Sequence, residues 1–113
     1  PTYRFLHVDD EESFLRMASE TVERKNDDID VEARTNVDEG LDYLSENCVD
    51  CVVSDYQMPE KDGIDFLREV RDSYRNLPFI LFTGEGSEEI ASEAISAGVT
   101  DYLQKEMGTA QYD

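Results

Sequence analysis

Hydrophobic residues along this chain alternate between two rhythms. Tyr3 to Val8, Val49 to Ser54 and Pro78 to Phe82 are short, nearly continuous apolar runs, the pattern of strands buried on both faces. Ile29-Asp30-Val31-Glu32-Ala33 alternates apolar with polar instead, as a strand with one wetter face near a sheet edge does. Thr100 to Gln104 reads as a fifth strand. Between the strands, apolar positions recur every three to four residues. Phe14, Leu15, Ala18 and Val22 place a helix over Glu11 to Lys25, with Asp10 available as its cap and Asn26-Asp27-Asp28 ending it. Val37, Leu41 and Leu44 mark a second helix, which Asn36 opens with Glu39 three residues on. Phe66, Leu67, Val70 and Tyr74 form the inner side of a third after Gly63. A fourth begins at Ser87, turns Ile90, Ala91, Ala94 and Ile95 inward, and stops at Gly98.

Strand and helix alternate five times, which predicts an α/β fold: a five-stranded parallel sheet with helices on both faces. Only Gly108 to Asp113 remain for a last helix, so that helix is expected to be truncated. The 113 residues suit one compact domain over 1–113 with a real core. A start at Pro1 rather than methionine reads as a piece processed or excised from a longer chain. In a doubly wound sheet the carboxyl ends of the strands share one edge, where ligands bind. Asp9 and Asp10, Asp55, Thr83 and Lys105 stand at the ends of strands one, three, four and five, so all are expected to converge there.

Charge narrows the possible partners. With 28 acidic residues against 10 basic, the net charge is −18. Phosphate backbones are bound by clustered Lys and Arg, so direct nucleic-acid binding is excluded. The acids are interleaved with apolar residues at helical spacing, which argues against disorder. Charge of this size points to a surface adapted to high salt, where screening relieves self-repulsion. No apolar run approaches the ~20 residues of a membrane span, and neither end carries a signal-peptide pattern. Cys48 and Cys51 form a C-x-x-C, but one ends a helical pattern and the other lies in a strand. A redox pair needs its first thiol at a helix N-terminus, so both read as small buried hydrophobes, reduced as in a cytoplasmic protein. His7, the single histidine, reads as core packing.

The converging groups define a chemistry. Three carboxylates repel one another, and a divalent cation with oxygen ligands is the usual remedy; Mg²⁺, or Mn²⁺ in its place, suits one or two carboxylates plus waters. The Thr83 hydroxyl, the Gly84 N–H and the Lys105 ammonium add donors and positive charge. Phosphoryl transfer requires these parts, with one carboxylate as nucleophile.

The stretch Asp55-Tyr56-Gln57-Met58-Pro59-Glu60-Lys61-Asp62-Gly63, taken with Asp9-Asp10, Thr83 and Lys105, resembles the phosphoacceptor loop and partner residues of receiver domains in two-component response regulators. The likeness spans nearly the whole chain and implies a flavodoxin-like, CheY-like fold. It implies that Asp55 accepts phosphate from a histidine kinase, and that the chain is a regulatory phosphoacceptor acting only on itself. Asp10, Asp55 and the Gln57 backbone carbonyl would hold Mg²⁺, with Asp9 acting through a water. Thr83, Gly84 and Lys105 would bind the phosphoryl group. Thr83 and Tyr102 would form the switch, signalling through helix four, strand five and helix five to an output or sensory domain or to a second copy. Gln57 and Glu85, two residues beyond Asp55 and Thr83, would tune dephosphorylation. Two features depart from the family: Glu106 follows Lys105 where a cis proline is usual, and helix five is short. The Thr83-Gly84-Glu85-Gly86 loop and the Tyr102-Leu103-Gln104-Lys105 ending are similar to receivers fused to sensory and kinase domains in archaeal proteins.

Rival readings fit less well. A metal-dependent aspartyl phosphatase would need a D-x-D after strand one and a cap domain. A flavin module would need a Ser/Thr/Gly-rich phosphate loop there. A calcium loop at Asp55 to Asp62 lacks the D-x-D-x-D-G ladder and contains Pro59. A receiver-like interaction module that has lost phosphorylation would be missing a reactive residue, and none is missing.

Overall fold

A computed structural model describes residues 2–84 and 86–105. The elements follow in the order β1 (Tyr3–Val8), α1 (Glu12–Lys25), β2 (Ile29–Arg34), α2 (Val37–Glu46), β3 (Cys51–Ser54), α3 (Gly63–Ser73), β4 (Phe79–Thr83), α4 (Glu88–Ala97) and β5 (Asp101–Gln104). All strand pairs are parallel, in the order β2-β1-β3-β4-β5. The wetter strand β2 is an edge, as its alternation predicts. The connection after β1 runs to β2 on one side and the connection after β3 to β4 on the other, so the order reverses between β1 and β3. That crevice is where such sheets hold ligands. Among the described residues, no helix is long and apolar enough to cross a membrane.

Register decides which side chains share a face. Leu6 lies beside Val52 and Val8 beside Ser54, Val52 beside Phe79, and Leu81 beside Tyr102. On this face Leu6, Val8, Val52, Phe79 and Leu81 are fully buried and pack with Val37, Leu44, Phe66, Leu67, Val70 and Ala94 from the helices. Burial of each large side chain contributes roughly 2 kcal/mol relative to exposure. Phe66 meets Phe79 edge-on with centroids 5.4 Å apart. His7 lies on the opposite face, buried and packed edge-on against Phe14 of α1 at 5.8 Å.

Three strands start later than the apolar pattern suggests, β4 by one residue at Phe79 and β3 and β5 by a shared device. Asp50 N–H donates to the Arg4 carbonyl at 2.8 Å, but the return bond from Arg4 N–H goes to the Asp50 carboxylate at 2.8 Å, and the ladder begins at Cys51. Thr100 Oγ1 accepts from Phe79 N–H at 2.9 Å, and β5 begins at Asp101. Asp10 does not cap α1: the cap position is Glu11, without a side-chain bond, and Asp9 Oδ1 accepts from Glu11 N–H at 2.9 Å. The other starts behave as expected. Asn36 Oδ1 accepts from Glu39 N–H, Ser87 from Ile90 N–H, and Gly98 ends α4 at φ 96°, a left-handed value that glycine adopts without a Cβ penalty. Tyr74 closes α3 as its C-cap, and its hydroxyl donates to the Leu44 carbonyl.

Two side chains point the other way from expectation. Ile95 is 69% exposed because Ala94, one position earlier, carries the buried stripe of α4 and 100° of helix rotation turns Ile95 to solvent. Cys48 is exposed because it follows the end of α2, while Cys51 in β3 is buried. The expectation of a truncated fifth helix falls outside the described residues.

Candidate functional site

The parallel register assembles the carboxyl edge. Asp55 N–H donates to the Val8 carbonyl at 2.9 Å, which sets Asp55 beside Asp9. Lys105 N–H donates to the Thr83 carbonyl at 2.8 Å, which brings β5's last polar residue to the end of β4. Asp9, Asp10 and Asp55 each offer an oxygen within 4.8 Å of the others. These hard, anionic donors fit a divalent cation of the Mg²⁺ type.

Electrostatics within the group are uneven. Asp9 is fully buried, with one oxygen 2.8 Å from Lys105 Nζ and the other accepting from Glu11 N–H. Lys105 Nζ is 3.7 Å from Asp55 Oδ2, so it leans toward Asp9. Tyr56 N–H donates to Asp55 Oδ1 at 2.8 Å, and the Thr83 hydroxyl also bonds the Asp55 carboxylate. Burial raises the Asp55 pKa above its ordinary value and the Asp9 charge adds to it; Lys105, Tyr56 and Thr83 pull the other way. Asp10 is exposed.

A cleft of about 870 Å³ opens above these groups, bounded by Asp10, Asp55, Gln57, Thr83, Gly84 and Lys105. Its floor depends on the loop from Asp55 to Gly63. Pro59 C=O accepts from Lys61 N–H at 2.8 Å across Glu60, whose φ is 71°, forming a γ-turn. Lys61 then pairs with Asp38 at 3.1 Å and Glu69 at 3.2 Å. Gly63 N–H donates to the Tyr56 carbonyl at 2.7 Å, and Asp62 caps α3 in a capping box with Asp65.

Asp9, Asp10, Asp55, Thr83 and Lys105 thus gather as the strand ends predict, and Gln57 and Gly84 line the same cleft. Tyr102 lies apart from the cleft, half-buried against the core, its hydroxyl buried with no partner among the described residues. Glu85 and the Lys105–Glu106 peptide fall outside the described residues. Sequence reasoning missed Phe14 and Phe82, whose rings lie under the Lys105 ammonium. Strand alternation carried the signal for Phe82, which must face away from Leu81 and Thr83.

Comparison with known proteins agrees with this geometry. Residues 5–112 match the response regulator receiver domain. A chemotaxis protein CheY homolog from Campylobacter jejuni is 33% identical over 105 residues, covering 90% of this chain and 80% of that protein. The cyclic di-GMP phosphodiesterase response regulator RpfG of Xanthomonas campestris is 35% identical over 87% of this chain, which spans only 26% of that protein. Among solved structures, the chemotaxis response regulator CheY4 of Vibrio cholerae superposes with a TM-score of 0.86 at 29% identity, over 96% of this chain and 90% of that one. Sequence and backbone therefore agree that the chain belongs to the response regulator receiver domain family.

Proposed function

We propose that Asp55 is the phosphoacceptor and takes its phosphoryl group from the phosphohistidine of a sensor histidine kinase. The observation that carries this reading is the Asp55 carboxylate held between Asp9, the Thr83 hydroxyl and the Lys105 ammonium at the mouth of the cleft. An Asp55 oxygen attacks phosphorus, the P–N bond breaks, and its electron pair leaves with the imidazole. Asp10, Asp55 and the Gln57 carbonyl would hold Mg²⁺ or Mn²⁺. Asp9, whose oxygens are already engaged by Lys105 and Glu11, would act through a water. Such an ion, when bound, supplies positive charge beside the phosphoryl oxygens. Lys105, Thr83 and the Gly84 N–H stabilise those oxygens as charge spreads over them.

Hydrolysis returns phosphate and the free carboxylate, so the domain acts on itself as a regulator, in the cytoplasm where ATP feeds the kinase. Gln57 and Glu85, two residues beyond Asp55 and Thr83 in sequence, would tune that step. Thr83, drawn to the phosphoryl group, would leave room for Tyr102, whose hydroxyl is already buried, to settle further inward. The change is read on α4 and β5, where Ile95 and Leu103 are exposed, by an output or sensory domain or a second copy.

Incubation with Mg²⁺ and phosphoramidate, followed by intact mass, tests the reading. The expected result is one labile phosphoryl group, absent from Asp55→Asn. An unchanged wild-type mass overturns it.

The acidic surface fits high salt, because 28 carboxylates face 10 cationic side chains and cannot all be paired. The melting temperature is expected to rise from dilute to molar KCl as repulsion is screened. Equal melting in both contradicts that adaptation.

A further inference from the structure

We infer that Phe14 and Phe82 form an aromatic seat that positions the Lys105 ammonium for the phosphoryl group, an inference that rests on Asp55 being the phosphoacceptor. Lys105 Nζ lies 4.1 Å from the Phe14 ring centroid and 5.8 Å from that of Phe82. Both fall within the ~6 Å over which a ring face attracts a cation. The rings come from separate elements, α1 and β4, and brace each other at 5.9 Å. His7 packs edge-on against Phe14 from β1 at 5.8 Å and fixes its orientation.

The ammonium is thus sandwiched. Asp9 at 2.8 Å and Asp55 at 3.7 Å lie within reach as anions, the two rings supply the other wall, and the side chain is only 15% exposed. Hydrogen bonds to Asp9 are directional and would hold Lys105 where it is. Attraction to a ring face is broad, so the ammonium can pass from Asp9 to a phosphoryl oxygen while it stays over Phe14. The flexible four-carbon stem of a lysine carries large rotamer entropy, which a fixed seat reduces. The residue after Lys105 is Glu106, so no proline ring restrains the backbone there. Phe14 and Phe82 are positioning residues, since neither would touch the phosphoryl group.

The test is the rate of phosphorylation by phosphoramidate with Mg²⁺, followed by intact mass, for wild type, Phe14→Leu, Phe14→Tyr and Phe82→Leu. Leucine keeps the apolar bulk and removes the ring face. Phe14→Leu is expected to slow phosphorylation roughly threefold to tenfold, and Phe82→Leu by less, with Phe14→Tyr within about twofold of wild type. In a Lys105→Ala background, Phe14→Leu should cause no further loss. A wild-type rate in both leucine variants overturns the seat, as does an equal further loss without Lys105, the mark of a general packing defect. A wild type that takes up no phosphoryl group overturns the phosphoacceptor reading and the seat with it, which separates the two failures.

Discussion

Gly63→Ala is expected to destabilise the protein by about 3 kcal/mol, or roughly 10 °C in melting temperature, and to impair phosphorylation in the fraction that folds. Gly63 begins α3 with its backbone pressed against the phosphoacceptor loop. A Cβ there would overlap the Asp55 carbonyl oxygen, and would lie 2.7 Å from Leu81 Cδ1 and 3.1 Å from the Asp55 carbonyl carbon. Leu81 is fully buried and cannot swing aside without opening the core. Asp55 cannot move either without giving up its backbone bond to Val8. The clash therefore falls on the backbone of the reactive residue, which links the stability loss to a functional one. Thermal unfolding reads the first and intact mass after phosphoramidate the second. A melting temperature within a few degrees of wild type contradicts this account of the loop.

The second large effect concerns acid. Burial lowers the His7 pKa from 6.5 to about 4, with Asp9 raising it and Lys105 lowering it to lesser degrees. The unfolded chain therefore takes up a proton near pH 6.5 that the folded chain refuses until about pH 4. Stability from this group is complete above pH 6.5 and is lost as pH falls through that window, by ~3 kcal/mol in all. Carboxylates titrate in the lower part of the same range, so a variant must isolate the histidine. His7→Phe keeps a ring against Phe14 and removes the buried Nε2, which has no partner among the described residues. Its stability should fall less steeply than that of wild type between pH 6.5 and 4. Parallel curves from urea titrations across that window would show that His7 is not the group responsible.

Much of this architecture was legible in the chain because two periods coexist in it. The continuous runs around Leu6, Val52 and Leu81 led to central strands, and the alternation of Ile29 to Ala33 to an edge. Once the strands are parallel, the residue ending each run must lie on one edge, so Asp9, Asp55, Thr83 and Lys105 could be grouped before any distance was known. Departures arose where side chains substituted for backbone. The Asp50 carboxylate and the Thr100 hydroxyl each satisfy a neighbouring strand's N–H, a choice that hydropathy does not encode. Asp10 looked like a cap because it precedes a helix, yet the buried Asp9 takes the free N–H. Ile95 looked inward because it is apolar, although helix α4 has room to bury only the Ala94 stripe. The aromatic wall under Lys105 was hidden for another reason. Phe14, Phe82 and Lys105 are far apart in sequence, and each by itself reads as ordinary strand or helix composition.

The central claim is that Asp55, alone among the clustered carboxylates, carries the phosphoryl group. Treating the phosphorylated protein with borohydride reduces an aspartyl phosphate to homoserine, which survives digestion and peptide mapping. Homoserine is expected at position 55 and unmodified aspartate at positions 9 and 10. Homoserine at position 9 or 10, or phosphoryl uptake that leaves position 55 unchanged, would contradict the claim.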